Sequence, residues 1–210
     1  MAPWRDSILI LATLGFFFSQ LLPADPPQSD QIASVQDPEE YAVYSSLLSA
    51  KYVTKNLQRL VIDDYTPSPK RAPFIGFIGG MIFVGDKHPE VQPETAKDFD
   101  AKNKNSFALE KKFDLRFPYV LASERELREI FRRDTKGYIS EGSWRRFYEK
   151  YPGAQGIMSL SRVGFNTTKD EALVYVANQS GLLGGSGSFL VLSKRNGRWE
   201  IQKEAMLWIS

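Results

Sequence analysis

The dipeptide Asn196-Gly197 constrains this chain more than any other feature. It lies between two runs of alternating apolar residues, and both positions suit the positive φ that a two-residue type I′ hairpin turn requires. A turn there fixes the direction of the last two strands, read as Ser188 to Lys194 and Arg198 to Ile209. The same period-two pattern, rich in β-branched and aromatic residues, gives two earlier strands, Ile157 to Asn166 and Glu171 to Ala177. Gly156 to Ser210 therefore reads as an antiparallel meander, a curved sheet of four or more strands. Ala172, Val174 and Val176 alternate with Leu173, Tyr175 and Ala177, so both faces of the second strand are apolar and it belongs in the centre. In the last strand Trp199, Ile201, Ala205, Leu207 and Ile209 share a face. The other face carries Arg198, Glu200, Gln202 and Glu204 until Met206 and Trp208 break the alternation, which places this strand nearer an edge.

Residues before the meander have helical spacing. Asp37-Pro38-Glu39-Glu40 has the residues of a helix start, with Asp37 as the cap, Pro38 at the first position and Glu40 completing the box. The helix is expected to run to about Val53, with Tyr41, Tyr44, Leu48 and Tyr52, and Leu47 beside them, on its inner face. Arg59 to Thr66 reads as a short strand ended by Thr66-Pro67-Ser68-Pro69; its adjacent Asp63 and Asp64 point to opposite faces and cannot readily share a metal. A second helix begins at Pro93 with Ala96, Phe99, Phe107 and Leu109 turned inward, followed by an edge strand over Phe113 to Leu121. Ser123 and Glu126 form a capping box for a helix that buries Leu127, Ile130 and Phe131 and leaves Arg125, Arg128, Arg132 and Arg133 in water. Ser143 to Tyr151 is a short helix mixing Trp144, Phe147, Tyr148 and Tyr151 with basic residues. Such a mixture can stack on nucleic acid, but the helical spacing of the aromatics reads as a core stripe, and no nucleic acid is expected as a partner. The fold class is thus α+β, with N-terminal amphipathic helices packed on a C-terminal antiparallel meander.

A chain of 210 residues with 42% hydrophobic and 25% charged residues is globular in composition, and a net charge of +2 selects no partner. Ser7 to Leu22 is an apolar run containing Phe16, Phe17 and Phe18, so residues 1–24 read as a signal peptide or an N-terminal membrane anchor, with a buried soluble helix as the remaining reading. Residues 25–36 are a polar, proline-containing linker, and 37–210 one domain. The protein is expected to be secreted or periplasmic, or attached to a membrane through residues 7–22. The absence of cysteine excludes disulfides and thiolate metal ligands.

Phe147-Tyr148-Glu149-Lys150-Tyr151-Pro152-Gly153, Leu160-Ser161-Arg162-Val163-Gly164-Phe165-Asn166, Ala172-Leu173-Val174-Tyr175-Val176, a Gly-rich loop and a Gly-x-Trp hairpin resemble a family of uncharacterised bacterial exported proteins. The resemblance spans most of residues 37 to 210 and implies a compartment but no chemistry. Some members carry two cysteines in the Gly-rich loop, where this chain has Ser180 and Gly184. The order of elements is also similar to nuclear-transport-factor-like and cystatin-like folds, an analogy of architecture only.

Candidate chemistry is sparse. His88, the only histidine, sits in a proline-bounded loop without a recognisable partner. Gln179 to Ser188 resembles a phosphate loop in composition but lacks its lysine and following helix. Phe74 to Gly85 is apolar and Gly-rich, either packed over the sheet, a flap over a hydrophobic ligand or a lip touching lipid. Arg162 shares a face with Met158 and Leu160 by alternation, so it points inward and needs an anionic partner such as Asp170 or Glu171. The candidate ligand site combines Arg162, Asn166, Tyr175, Asn178, Gln179 and Ser180, with no catalytic residue, metal or cofactor assigned. The function expected is a non-catalytic binding module for a small apolar or envelope-derived ligand. The alternatives are an envelope interaction or structural protein, and an enzyme using carboxylate chemistry.

Overall fold

Helical spacing in the first half and alternation in the second produce, among the described residues, four α-helices and seven strands in the computed structural model of the protein. The structure describes residues 32–69, 88–131 and 140–210. Within it Ile32–Ser210 forms one compact unit. Residues 1–31, Phe74 to Gly85, Arg132 and Arg133 lie outside the described residues.

Helix α1 (Pro38–Leu47) starts where the acidic, proline-led sequence places it, with the Asp37 carboxylate accepting the Glu39 amide at 3.0 Å. A π-helical turn, Leu48–Tyr52, extends it. Tyr41, Tyr44, Leu47 and Leu48 are buried as their spacing requires. Residues 32–36, read as the end of a linker, dock instead: the Val35 amide donates to the Ala108 carbonyl at 2.9 Å and Val35 is fully buried. Helix α2 is Pro93–Lys102. Thr95 and Phe99 are its buried residues, whereas Phe107 and Leu109 fall in an extended segment beyond it. Helix α3 (Glu124–Ile130) has both halves of the Ser123–Glu126 capping box, and helix α4 is Glu141–Lys150.

The strands are β1 (Leu60–Asp63), β2 (Tyr119–Ala122), β3 (Ile157–Leu160), β4 (Gly164–Phe165), β5 (Glu171–Gln179), β6 (Gly185–Arg195) and β7 (Arg198–Ile209). They form one sheet in the order β2-β1-β3-β5-β6-β7, with β4 also paired to β5. The sheet is mixed, and its parallel pairs all involve β1, from the first half of the chain. Strand β1 runs parallel to both β2 and β3, with Val61 opposite Val120 and Ile157, while the remaining pairs are antiparallel. All four residues of β1 are buried, and a strand buried on both faces gains most in the interior of a sheet. Its alternation could show that it was a strand but not which neighbours it would take.

Both faces are filled. On one face Tyr44, Leu47 and Leu48 share a core with Met158, Leu160, Val174, Leu190 and Trp199. On the other, Leu127, Trp144 and Phe147 cover Val61 and Ile157, and Phe99 covers Leu173, Tyr175 and Phe189. The aromatic stripe of α4 is therefore core, with Trp144 and Phe131 ring centroids 4.9 Å apart. At the β6–β7 turn Asn196 and Gly197 have φ of 50° and 76°, as a type I′ turn requires.

Two register shifts in β7 redirect its side chains. Leu192 pairs with Ile201 but Val191 with Lys203, and Ser188 pairs with Met206 but Gly187 with Trp208, so Gln202 and Leu207 are extra residues. The single apolar face read from the sequence is consequently split: Trp199 and Ile201 join the α1 core, whereas Ala205 packs on the opposite side, where Trp208 joins it.

Candidate functional site

The six residues of the sequence-derived site do not converge. Arg162 lies where the first meander strand breaks into β3 and β4. Ser161 stays in the ladder, its hydroxyl accepting the Tyr175 amide at 2.9 Å and its own amide donating to the Tyr175 carbonyl at 3.0 Å. Arg162 then leaves the ladder toward α1, and its partner is Glu40 rather than Asp170 or Glu171. The guanidinium contacts the Glu40 carboxylate at 2.6 and 2.9 Å, the Val163 amide donates to the same carboxylate at 3.0 Å, and Phe107 stacks 4.3 Å from the guanidinium carbon. Burial works against the Arg162 charge, but hydrogen bonds to Glu40 and its proximity outweigh it and raise the guanidinium pKa. Tyr44 completes the group by donating to the Ser161 carbonyl at 2.7 Å. Its phenol pKa is driven well above the ordinary value, first by burial and then by the Glu40 charge. This cluster ties α1 to the sheet.

Asn166 closes the β4–β5 turn. Its Oδ1 accepts the Asp170 and Glu171 amides at 3.0 and 3.1 Å, and its Nδ2 donates to Asp170 at 2.6 Å. Beside it lies an open groove of about 590 Å³ floored by Phe165. Several of its charged groups are engaged with neighbours: Lys169 with Asp37 at 2.8 Å, Lys102 with Asp98 at 2.8 Å, and Glu94 with the Thr167 hydroxyl at 2.7 Å. The groove is a clasp between α2 and the β4–β5 turn.

Tyr175 is fully buried on the opposite face. Its hydroxyl accepts the Trp208 indole N–H at 2.9 Å, and burial holds its phenol far above the usual value. Gly187 lies beneath this pair, where an added Cβ would overlap both Trp208 Nε1 and Tyr175 Oη.

Asn178, Gln179 and Ser180 do come together, at the end of the sheet where β5 finishes, β6 begins and β7 finishes. Asn178 donates to the Gln155 carbonyl at 3.0 Å. The Gly184 carbonyl accepts from the Ser180 amide at 2.7 Å and the Gly181 amide at 3.1 Å, and Tyr148 of α4 donates to the Ser180 carbonyl at 2.7 Å. These bonds hold up a short loop that carries Leu182 and Leu183, which are 40% and 85% exposed. The adjoining end of β7 is joined to β6 by paired Gly185–Ser210 backbone bonds at 2.9 and 3.2 Å. It exposes Met206 by 60%, Leu207 by 40% and Ile209 by 73%. Val53 is also exposed, and the next residue, Thr54, donates to the Gln155 side chain at 3.2 Å, beside the Gln155 carbonyl that Asn178 holds. Sequence reading missed this apolar end; the break in alternation at Met206 and Trp208 was its only trace.

Elsewhere, His88 Nε2 lies 2.8 Å from Asp100 and its ring packs edge-on against Phe99 and Phe189, each with centroids 5.4 Å away. Among the described residues no group of three or more His, Asp or Glu could hold a metal ion, and no helix is long and apolar enough to cross a membrane. The chain matches no protein-family model, no curated protein and no solved structure. What fold and site define is an α+β protein with a mixed seven-stranded sheet and an apolar corner.

Proposed function

We propose that the protein is a non-catalytic binding module, working outside the cytosol, whose binding surface is the apolar end of the sheet. The N-terminal helices and the antiparallel part of the sheet form the platform, and the Asn178–Ser180 loop base presents the surface. The ligand is a small apolar or envelope-derived one, a reading that rests on the export segment read from residues 1–24 and the resemblance to bacterial exported proteins.

The observation that carries this reading is the exposure of Leu182, Leu183, Met206, Leu207 and Ile209 on a loop and a strand end that the Gly185–Ser210 backbone bonds hold side by side. Large apolar side chains exposed singly need no explanation, whereas a contiguous group marks an interaction surface. Covering one such side chain contributes about 1.5–3 kcal/mol, so a partner that covers several gains enough for specific, reversible binding.

The test is enhancement of anilinonaphthalene sulfonate fluorescence by residues 32–210 and by the variant Leu183→Asp/Ile209→Glu. Enhancement that the variant abolishes, with an unchanged melting temperature, supports the reading. Equal enhancement by both proteins, or none by either, removes it.

A further inference from the structure

We infer that the partner of this apolar end is the surface of a lipid bilayer, an inference that rests on the binding reading above and names its ligand. Three features of the corner separate a bilayer from a small molecule or a protein.

The first is shape. Leu183 is 85% exposed at the tip of a loop whose flanks are Gly181 and Gly184, and Ile209 is 73% exposed at the end of an edge strand. Side chains that stand this far out project from the body, whereas a small-molecule site is concave and covers most of its ligand. Projecting apolar side chains suit a medium they can enter.

The second is the edge itself. A second copy of the chain would add most simply along β7, but the bulges at Gln202 and Leu207 interrupt that edge on either side of the charged pair Lys203 and Glu204. Bulges and charges on an edge strand oppose strand addition. The apolar group is also far smaller than the roughly 20–30 residues a side of a stable protein interface.

The third is the rim. Trp208 is half-buried beside the exposed group with its indole N–H tied to Tyr175, and Tyr148 props the loop from below. Amphipathic aromatics beside an apolar tip are the composition of a surface that sits at the boundary between headgroups and acyl chains.

The experiment uses residues 32–210, whose described core lies entirely within that unit, so that the apolar run Ser7 to Leu22 cannot bind lipid on its behalf. Vesicles of equimolar phosphatidylethanolamine and phosphatidylglycerol are sedimented with the protein at low and high salt while tryptophan emission is followed. The proposal expects co-sedimentation that persists in high salt, a blue shift that is lost in Trp208→Phe, and at least about a tenfold weaker partition for Leu183→Asp/Ile209→Glu. Leu183→Asp alone, at a loop tip, serves if the double variant does not fold. Absence of co-sedimentation, or partition that is unaffected by these substitutions, overturns it. So does concentration-dependent dimerisation, lost in Leu183→Asp, in a protein that ignores vesicles. If the fluorescent probe binds this end but vesicles do not, the bilayer is wrong and the binding module stands; if neither binds, both fall.

Discussion

The Arg162 guanidinium and the Glu40 carboxylate, 122 residues apart in sequence, meet at 2.6 Å with the Glu40 side chain wholly buried and that of Arg162 only 12% exposed. Their pairing sets α1 on the sheet and accounts for the break between β3 and β4, since the chain leaves the ladder at Arg162 to reach Glu40. Arg162→Met leaves a buried carboxylate without its main counter-charge, a change that costs about 3–5 kcal/mol. Lys102, whose ammonium lies 3.9 Å from Glu40, offsets part of that loss. Urea denaturation should therefore show a cost toward the lower end of the range, and adding Glu40→Gln should restore part of it. An additive double mutant would mean that the two residues act independently.

This pair shows how far the sequence could be read. Alternation places Arg162 on the side of Met158 and Leu160, and that is the side facing α1. Its partner was hidden because Glu40 also fits the capping pattern after Asp37, yet the cap is completed by the Glu39 amide, leaving the Glu40 side chain free to turn inward. The turn at Asn196-Gly197 and the Ser123–Glu126 box were legible because each is a local arrangement with one physical solution. The parallel β1 and the split faces of β7 were not. Strand neighbours depend on burial far along the chain, and one extra residue at Gln202 or Leu207 reverses every later side chain. The candidate site fared accordingly: Asn178, Gln179 and Ser180 lie together at the end of β5, but Asn166 and Arg162 sit away from that end with structural partners of their own.

Gly187 should be intolerant of any side chain. Trp208 crosses it to reach the Tyr175 hydroxyl, and an added methyl overlaps both groups. Gly187→Ala is expected to cost about 1–3 kcal/mol, as overpacking of a filled site does. Pairing it with Trp208→Leu removes one of the two overlapping groups and should recover part of the stability in thermal unfolding. A double variant no more stable than Gly187→Ala would show that the indole is not the obstacle.

Gly197 should respond differently, because an added Cβ there meets nothing within 4 Å. The cost of Gly197→Ala is then only the backbone strain of a residue with φ of 76°, about 1–2 kcal/mol. Chemical denaturation should show this loss with an unchanged denaturant slope. Asn196→Ala should cost less, since φ of 50° falls inside the small left-handed region open to residues with a Cβ, whereas 76° falls outside it.

Acid should loosen the fold over a window set by its carboxylates. Hydrogen bonds from Ser123, aided by Lys150, hold Glu126 down at about 2, and Lys112 with Ser34 and Gln36 holds Glu110 at about 2, against an ordinary value of 4.5. Asp170 and Glu94 are lowered by hydrogen bonds with Asn166 and Thr167 respectively. A depressed carboxylate binds its proton more readily in the unfolded chain, so its contribution is complete above about pH 4.5 and fades as pH falls toward 2. Melting temperature should accordingly decline through that interval. Glu126→Gln should lower it at neutral pH and flatten the decline, because the variant has no proton to take up at the α3 cap. If its pH profile is parallel to that of the parent protein down to pH 2, the capping carboxylate is not depressed and the hydrogen bonds from Ser123 do not hold it in solution.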